Sequence, residues 1–240
     1  MGRRGCSIMS VSEQLASIRE RIHAAAERSG RDPGAVRLIA VTKTRTADEV
    51  REALREGVED IGENRVQEAE DKRSLLPSEK AVWHLVGHLQ GNKASRAVRL
   101  FDLIHSVDSA DLAARLSRFA AEAEKTQRVL VQVDLAGEAT KSGVPASELF
   151  STLERMRSLS CLRVEGLMLL PPFFEEPESA RAYFTRLREL AKDAHAKGLL
   201  EAENLSMGMS HDFEVAIEEG ATMVRIGAGI FGPRESTASL

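Results

Sequence analysis

Lys43 is the first residue whose position suggests chemistry. It follows the apolar run VRLIAV (36–41) almost at once, and the helix-like segment TADEVREALREG (46–57) comes next. A lysine that is partly desolvated at the mouth of a fold loses proton affinity, so its amine can attack a carbonyl and form a Schiff base. The alternative is structural: a surface lysine whose stem covers apolar surface while its amine stays in water. Position alone leaves both interpretations open.

Arg225 is the second such residue, in the run MVRIG. The period-two alternation of a strand puts Met223, Arg225 and Gly227 on one face, where the glycine leaves room for a ligand. An arginine directed into a barrel requires an anion or an acceptor, because an unpaired buried charge is costly. A structural carboxylate, Glu63 or Glu165, is the alternative partner.

Two segments rich in serine and glycine, SMGMSHDFEVAIEEG and RIGAGIFG, have the features of an anion site. Ser210 is placed to cap a helix that starts near His211, and the free N–H groups at a helix start attract anions. Gly227 and Ala228 allow backbone amides to approach a ligand. Capping alone would explain Ser210, but the two segments together favour phosphate.

The elements that position these residues are predicted strands alternating with helices. Short runs rich in Val, Ile and Leu are typical of strands buried on both faces. They cover residues 36–43, 60–64, 83–87, 103–108, 128–135, 164–170, 204–210 and 223–231. Eight such strands in 240 residues favour an α/β fold, a single (β/α)8 TIM-type barrel. An open doubly wound sheet would show a G-x-G-x-x-G after an early strand, and none is present there.

An extra N-terminal helix at 11–29 completes this prediction. Only nine residues follow the last predicted strand, which are too few for an eighth outer helix, so the N-terminal helix could fill that gap. Because no linker or composition break divides the chain, we expect one barrel domain over 9–234. Residues 1–8 would be a disordered extension and 235–240 a tail.

Polar residues follow most of the predicted strands, at the ends where such barrels carry their chemistry. The opposite strand ends show no comparable set. Several polar strand ends pointing to one mouth predict a site there. These residues are Lys43, Glu63, Asn64, Gly87, His88, Ser106, Asp108, Ser206, Ser210, Arg225 and Gly227.

Composition excludes several other classes of protein. A net charge of −4 argues against a nucleic-acid partner, which usually requires a basic face. No apolar run is long enough to span a membrane, no secretory signal is present, and two cysteines are too few for a disulfide framework. We therefore expect a cytoplasmic protein. We also expect no metal, because the four-residue spacing of His84 and His88 suits a metal site on a helix and not on a strand.

The combination of motifs is more specific than any one of them. Lys43, GENRVQE (62–68), WHLVGHLQGNK (83–93), SMGMSHDFEVAI (206–217) and VRIGAGIFG (224–232) occur in this order. With them the sequence resembles the pyridoxal 5′-phosphate (PLP) homeostasis proteins, from about residue 12 to residue 234. That family resembles the N-terminal barrel domain of the bacterial alanine racemases.

The resemblance implies a cofactor and its site. It implies PLP held as a Schiff base (an imine) on Lys43, with Arg225 near the pyridine nitrogen. The other residues that it places around the cofactor belong to the phosphate site or to the wall beside the ring: Ser210, Gly227, Ala228, Asn64, Met168 and, less directly, Ser206.

The resemblance also bears on catalysis. An arginine at the pyridine nitrogen disfavours protonation there and weakens the ring as an electron sink. Alanine racemases add a second domain that supplies an acid/base tyrosine across a dimer. We expect no such domain here. The single tyrosine, Tyr183, is predicted on the outside of the barrel, and Cys161 is predicted at the wrong end. Racemisation requires two proton carriers. We therefore expect a monomeric, non-catalytic protein that buffers PLP or delivers it to apo-enzymes.

Two alternatives from other classes stay open. The first is a PLP-dependent racemase-like enzyme in which His88 or Asp108 is the second acid/base, and it predicts turnover of an L-amino acid. The second is a Schiff-base aldolase that acts through Lys43 without a cofactor, and it predicts a colourless, active protein.

Overall fold

The computed structural model describes residues 10–137 and 142–232. The strands are Arg37–Val41 (β1), Asp60–Glu63 (β2), Val82–Leu85 (β3), Leu103–Val107 (β4), Gln127–Asp134 (β5), Val144–Pro145 (β6), Leu162–Leu169 (β7), Asn204–Met209 (β8) and Met223–Ile226 (β9). Eight of them are parallel and close into a barrel, in the order β4-β3-β2-β1-β9-β8-β7-β5 with β4 paired to β5, so the predicted (β/α)8 fold is confirmed.

Helices surround the barrel between successive strands. Their starts are specified locally: Ser10 with Glu13, and Thr46 with Glu49, form reciprocal capping boxes at the first two helices. The helices are Val11–Arg28 (α1), Ala47–Arg55 (α2), Val66–Leu75 (α3), Ala94–Leu100 (α4), Ala110–Glu122 (α5), Leu149–Met156 (α6), Arg181–Ala196 (α7), Phe213–Glu218 (α8) and Ala228–Phe231 (α9). Within the described ranges, no helix is both long and apolar enough to cross a membrane.

The structure corrects two strand assignments. The strand predicted over 223–231 ends at Ile226, because the N–H groups of Ile230 and Phe231 donate to the carbonyl of Gly227 and turn the chain into α9. The short β6 was not predicted. It pairs with the end of β5 and lies outside the closed barrel.

Helix α1 closes the ring of helices, as the sequence predicts. It packs against α8 and α9, where an eighth outer helix would lie. Leu15, Ile18 and Ile22 form its buried face. Two ion pairs on the outer side, Arg21 with Glu214 and Arg28 with Glu218, join it to α8. The predicted extension (1–8) and tail (235–240) lie outside the described residues.

The interior of the barrel has its own small core. Ile39, Leu103, Leu130, Met168 and Met223 form a buried cluster separate from the main core between the sheet and the helices. Leu170 packs against this cluster and also lines a cavity at the barrel mouth. The interior core therefore forms part of the floor of that cavity.

Candidate functional site

A cavity of about 530 Å³ opens at the C-terminal ends of the strands. That volume lies within the range of roughly 300–1,000 Å³ that is common for small-molecule sites. Six of the eight residues predicted from the sequence line it: Lys43, Asn64, Ser210, Arg225, Gly227 and Ala228. The structure therefore brings the end of β1, the end of β2 and the loops after β8 and β9 to one place. Their roles as ligand contacts stay predictions.

Lys43 lies half-buried in a tight turn that follows β1. The N–H of Arg45 donates to the carbonyl of Thr42 at 3.0 Å and closes the turn. Thr44 has a φ of 66°, a left-handed conformation that is uncommon for residues other than glycine. Its N–H donates to the Glu68 carboxylate at 3.0 Å. The turn that carries Lys43 is thus strained and held by a side chain from α3.

A buried ion pair fixes the same turn from the outer side of the barrel. The Lys72 ammonium donates both to the Thr42 carbonyl and to Glu63 Oε1, and the Thr42 hydroxyl donates to that same carboxylate oxygen at 2.6 Å. Burial raises the pKa of Glu63, and the hydrogen bonds from Lys72 and Thr42 oppose that rise. The sequence does not predict a role for Lys72, because a separation of nine residues from Glu63 does not indicate an ion pair.

Arg225 is buried, and its side chain has two polar partners. Nη1 donates to Ser206 Oγ at 2.6 Å and Nη2 donates to the Leu169 carbonyl at 2.9 Å. Burial lowers the pKa of Arg225 to about 10, and the more distant charge of Asp212 opposes this. No carboxylate among the described residues lies within 4 Å of the guanidinium. The cavity wall therefore carries a cation that is paired with no acid of the described ranges.

The alternative in which Glu63 or Glu165 pairs with Arg225 is wrong. Glu63 pairs with Lys72, and Glu165 forms a two-pronged pair with Arg128 at 2.8–2.9 Å. Both carboxylates that could have neutralised Arg225 are thus engaged elsewhere.

Ser210 does not cap α8, in contrast to the sequence prediction. Helix α8 begins at Phe213, and the carboxylate of Asp212 instead accepts the Met209 N–H at 2.7 Å. Ser210 Oγ accepts the N–H of Gly229 at 3.3 Å, in the segment after β9. The hydroxyl therefore connects the two loops that were predicted to bind phosphate.

Met168 and Ser206 do not line the cavity, so their predicted placement beside a ligand needs correction. Met168 is fully buried in the interior core, and Ser206 is fully buried behind Arg225. The reason is the height of each residue in the barrel. Side chains on one strand face repeat every two residues. Leu170, two residues after Met168, and Ser210, four residues after Ser206, therefore reach the cavity wall instead.

Gly87 contributes space and not a side chain. A Cβ built at Gly87 would lie 2.3 Å from the Asn64 carbonyl oxygen, so the backbones that follow β2 and β3 approach each other closely here. That approach places Asn64 on the cavity wall.

His88 and several unpredicted residues also line the cavity. His88 Nδ1 lies 3.2 Å from Asp108 Oδ2 and 3.0 Å from Ser142 Oγ. Gln132, Ser142 and Leu170 also line the cavity, and no sequence signal marks them. In the described part of the chain, no group of three or more His, Cys, Asp or Glu residues could hold a metal ion.

Comparison with known proteins identifies the family. Residues 14–235 match the family model described as alanine racemase, N-terminal domain. The pyridoxal phosphate homeostasis protein of Aquifex aeolicus is 42% identical over 227 residues, which cover 95% of this chain and 100% of that protein. The chain belongs to the pyridoxal phosphate homeostasis family. The predicted resemblance is confirmed.

Solved structures agree with membership of this family. PipY of Synechococcus elongatus, in a structure with PLP bound, is 38% identical with a TM-score of 0.83, over 93% of this chain and 100% of that chain. Alanine racemase of Clostridium difficile is 17% identical with a TM-score of 0.67. It matches 95% of this chain but only 57% of its own, so it shares the barrel fold with this chain.

Proposed function

We propose that this protein binds PLP in the barrel-mouth cavity and takes part in PLP homeostasis in the cytoplasm. The observation that carries the proposal is that Lys43 and Arg225 line one cavity in a chain of this family. The PLP-bound relative PipY and the homeostasis protein of Aquifex aeolicus support it.

The residues present fit the chemistry of PLP. The aldehyde requires an amine, which Lys43 offers, and we propose a Schiff base on that residue. The phosphate requires hydroxyl and backbone N–H donors, which Ser210, Gly227 and Ala228 offer. The pyridine nitrogen is an acceptor, and the Arg225 guanidinium only donates.

We propose further that the protein holds PLP without catalysing a reaction. Bound PLP supplies an electron sink for bonds at the α-carbon of an amino acid. Arg225 disfavours protonation of the ring nitrogen and so weakens that sink. Tyr183 lies on α7, beside Phe174, and Cys161 precedes β7 at the opposite end of the barrel. Neither is placed to move a proton in the cavity.

A protein that binds PLP without using it in catalysis affects the supply of PLP in two ways. An imine is reversible, so the protein can keep the free aldehyde scarce and still release it. We propose transient delivery to PLP-dependent apo-enzymes by a monomer.

The first test is a titration of purified apo-protein with PLP, followed by absorbance, borohydride reduction and peptide mapping. We expect a yellow product with the reduced adduct on Lys43. Lys43→Ala should lose the adduct, whereas Lys93→Ala, which alters another lysine near the mouth but off this cavity, should keep it. Absence of PLP uptake by the wild type would overturn the proposal. It would leave the cofactor-free aldolase to be tested.

One observation favours a second function, the racemase-like enzyme. His88 lines the same cavity as Lys43 and is paired with Asp108, so a second proton carrier is available. Incubation of PLP-loaded protein with L-alanine, with the D-isomer measured by chiral chromatography, separates the two functions. We expect no D-alanine above the level of a Lys43→Ala control. Turnover that disappears in His88→Ala would establish the enzyme instead.

A further inference from the structure

A chain of buried polar side chains crosses the barrel interior from Arg225 to Asp60. Beyond the Arg225–Ser206 contact, Ser206 Oγ lies 2.8 Å from His105 Nδ1. His105 Nε2 lies 2.9 Å from His84 Nδ1, and His84 Nε2 lies 2.7 Å from Asp60 Oδ1. The five residues come from five strands, and none is more than 7% exposed. We call this chain the interior relay.

The relay departs from the usual filling of such barrels, which consists of bulky branched apolar side chains. Polar groups in this position are tolerated only when each has a partner, because an unsatisfied buried donor or acceptor costs about 1–3 kcal/mol. Each of the four contacts in the relay is short enough to be a hydrogen bond.

When each histidine ring carries one proton, the chemistry at the two ends fixes the direction of every hydrogen bond. A guanidinium cannot accept and a carboxylate cannot donate. Ser206 therefore accepts from Arg225, and its own proton goes to His105 Nδ1. With one proton on each ring, His105 then donates through Nε2 to His84, and His84 donates through Nε2 to Asp60. The opposite tautomers would place a bare His84 nitrogen against the carboxylate.

The surroundings of His105 agree with a neutral ring. Burial, followed by the neighbouring His84 and the charge of Arg225, holds the pKa of His105 well below its usual range. The neutral ring can accept from Ser206 only if its Nδ1 lacks a proton.

We propose that Ser206, His105 and His84 are positioning residues that orient Arg225 for its ligand and connect it to the carboxylate of Asp60. The relay turns one Nη donor of Arg225 away from the cavity and fixes the plane of the guanidinium. Aligned hydrogen bonds polarise one another, so the carboxylate of Asp60, which also lies 3.7 Å from Arg37 Nη1, stabilises the positive end at Arg225 across the barrel. The inference rests on the proposed function, since it assigns Arg225 to a bound ligand.

The relay explains why Ser206 lies near the cavity without lining it. The resemblance suggested a residue near the cofactor, and the structure places it one step behind, against the residue that faces the cavity. Its role is then to hold Arg225 and not to contact the ligand.

The first test needs no cofactor. Long-range proton–nitrogen NMR spectra of the apo-protein, assigned with His84→Gln and His105→Gln variants, report the tautomer of each ring. We expect both histidines as neutral Nε2–H tautomers. An Nδ1–H tautomer at His105 would overturn the relay, whether or not the protein binds PLP.

The second test compares Ser206→Ala with Thr222→Val. Both remove a hydroxyl that joins β8 to its neighbour, but Thr222 bonds the Leu205 N–H at the N-terminal end of these strands. We expect Ser206→Ala to bind PLP about tenfold more weakly, the loss of one charge-assisted hydrogen bond, and to shift the absorbance of the bound cofactor. Thr222→Val should bind as the wild type does.

Two further variants keep the second test decisive. Ser206→Thr retains the hydroxyl and should restore the absorbance. If Ser206→Ala does not fold, Asp60→Asn tests the far end of the relay, where we expect a smaller shift in the same direction. Equal affinity and equal spectra for Ser206→Ala, Asp60→Asn and the wild type would overturn the inference and leave PLP binding intact. Failure of the wild type to bind PLP would instead count against the proposed function alone.

Discussion

Lys43 and Arg225 share a feature at the scale of single residues: groups that do not line the cavity hold each of them. Next to Lys43, Lys72 donates to the carbonyl of Thr42 and Glu63 accepts from the Thr42 hydroxyl, while Ser206 accepts from Arg225. Such support from outside the cavity matters because a site functions only when its side chains are held in one geometry.

The Glu63–Lys72 pair gives the first prediction at this scale. Lys72→Met should lower the free energy of unfolding by about 3–5 kcal/mol, because it leaves the Glu63 carboxylate buried without its cation. Chemical denaturation at neutral pH measures this. The double variant Lys72→Met with Glu63→Gln removes the buried charge as well and should recover part of the loss. A double variant no more stable than the single one would contradict the explanation.

The sequence identified Lys43 and Arg225 but could not identify Lys72 or His105. The first two stand out because each is a cation within or just after an apolar strand, where an unpaired charge would be costly to bury. His105 lies in the apolar strand LIHSV, and its two partners, His84 and Ser206, come from two other strands. Contacts across a closed barrel depend on the register of all its strands, which local sequence does not fix.

At the scale of elements, the loops at the barrel mouth are joined to one another. Ser210 bonds the segment after β9, and the backbone at Gly87 packs on the backbone at Asn64. The period of two predicted which residues share a strand face. It could not predict how high each residue sits in the barrel, and for that reason Leu170 and not Met168 reaches the wall.

Gly87 provides a test of this close packing. Gly87→Ala should destabilise the protein by about 1–3 kcal/mol and weaken PLP binding, because the new methyl group meets backbone atoms that can move only with the strand ends. The matched control is Gly91→Ala, where the nearest atom to a Cβ is a flexible arginine head 3.5 Å away. Thermal unfolding and PLP titration of both variants check this. If Gly87→Ala matched Gly91→Ala in both stability and PLP affinity, the backbones after β2 and β3 would have to separate easily.

At the scale of the whole molecule, a ligand that binds the folded state stabilises the entire fold. PLP at one hundred times its dissociation constant should raise the unfolding free energy by about 2.7 kcal/mol. For a chain of this size, the Tm should then rise by about 5–10 °C. Calorimetry with and without PLP measures the shift, and Lys43→Ala should show a smaller one. An unchanged wild-type Tm would show that PLP does not bind the folded state in preference to the unfolded chain.

The position of α1 has a consequence for synthesis on the ribosome. Its partners are among the last residues to be made: Arg21 bonds a residue 193 positions later, and Arg28 one 190 positions later. At about 5–20 residues per second, the nascent helix waits about 10–40 s before that surface exists. Its apolar stripe of Leu15, Ile18 and Ile22 is exposed to water for that time. We expect the newborn chain to depend on chaperones, and its barrel to close only after synthesis is nearly complete.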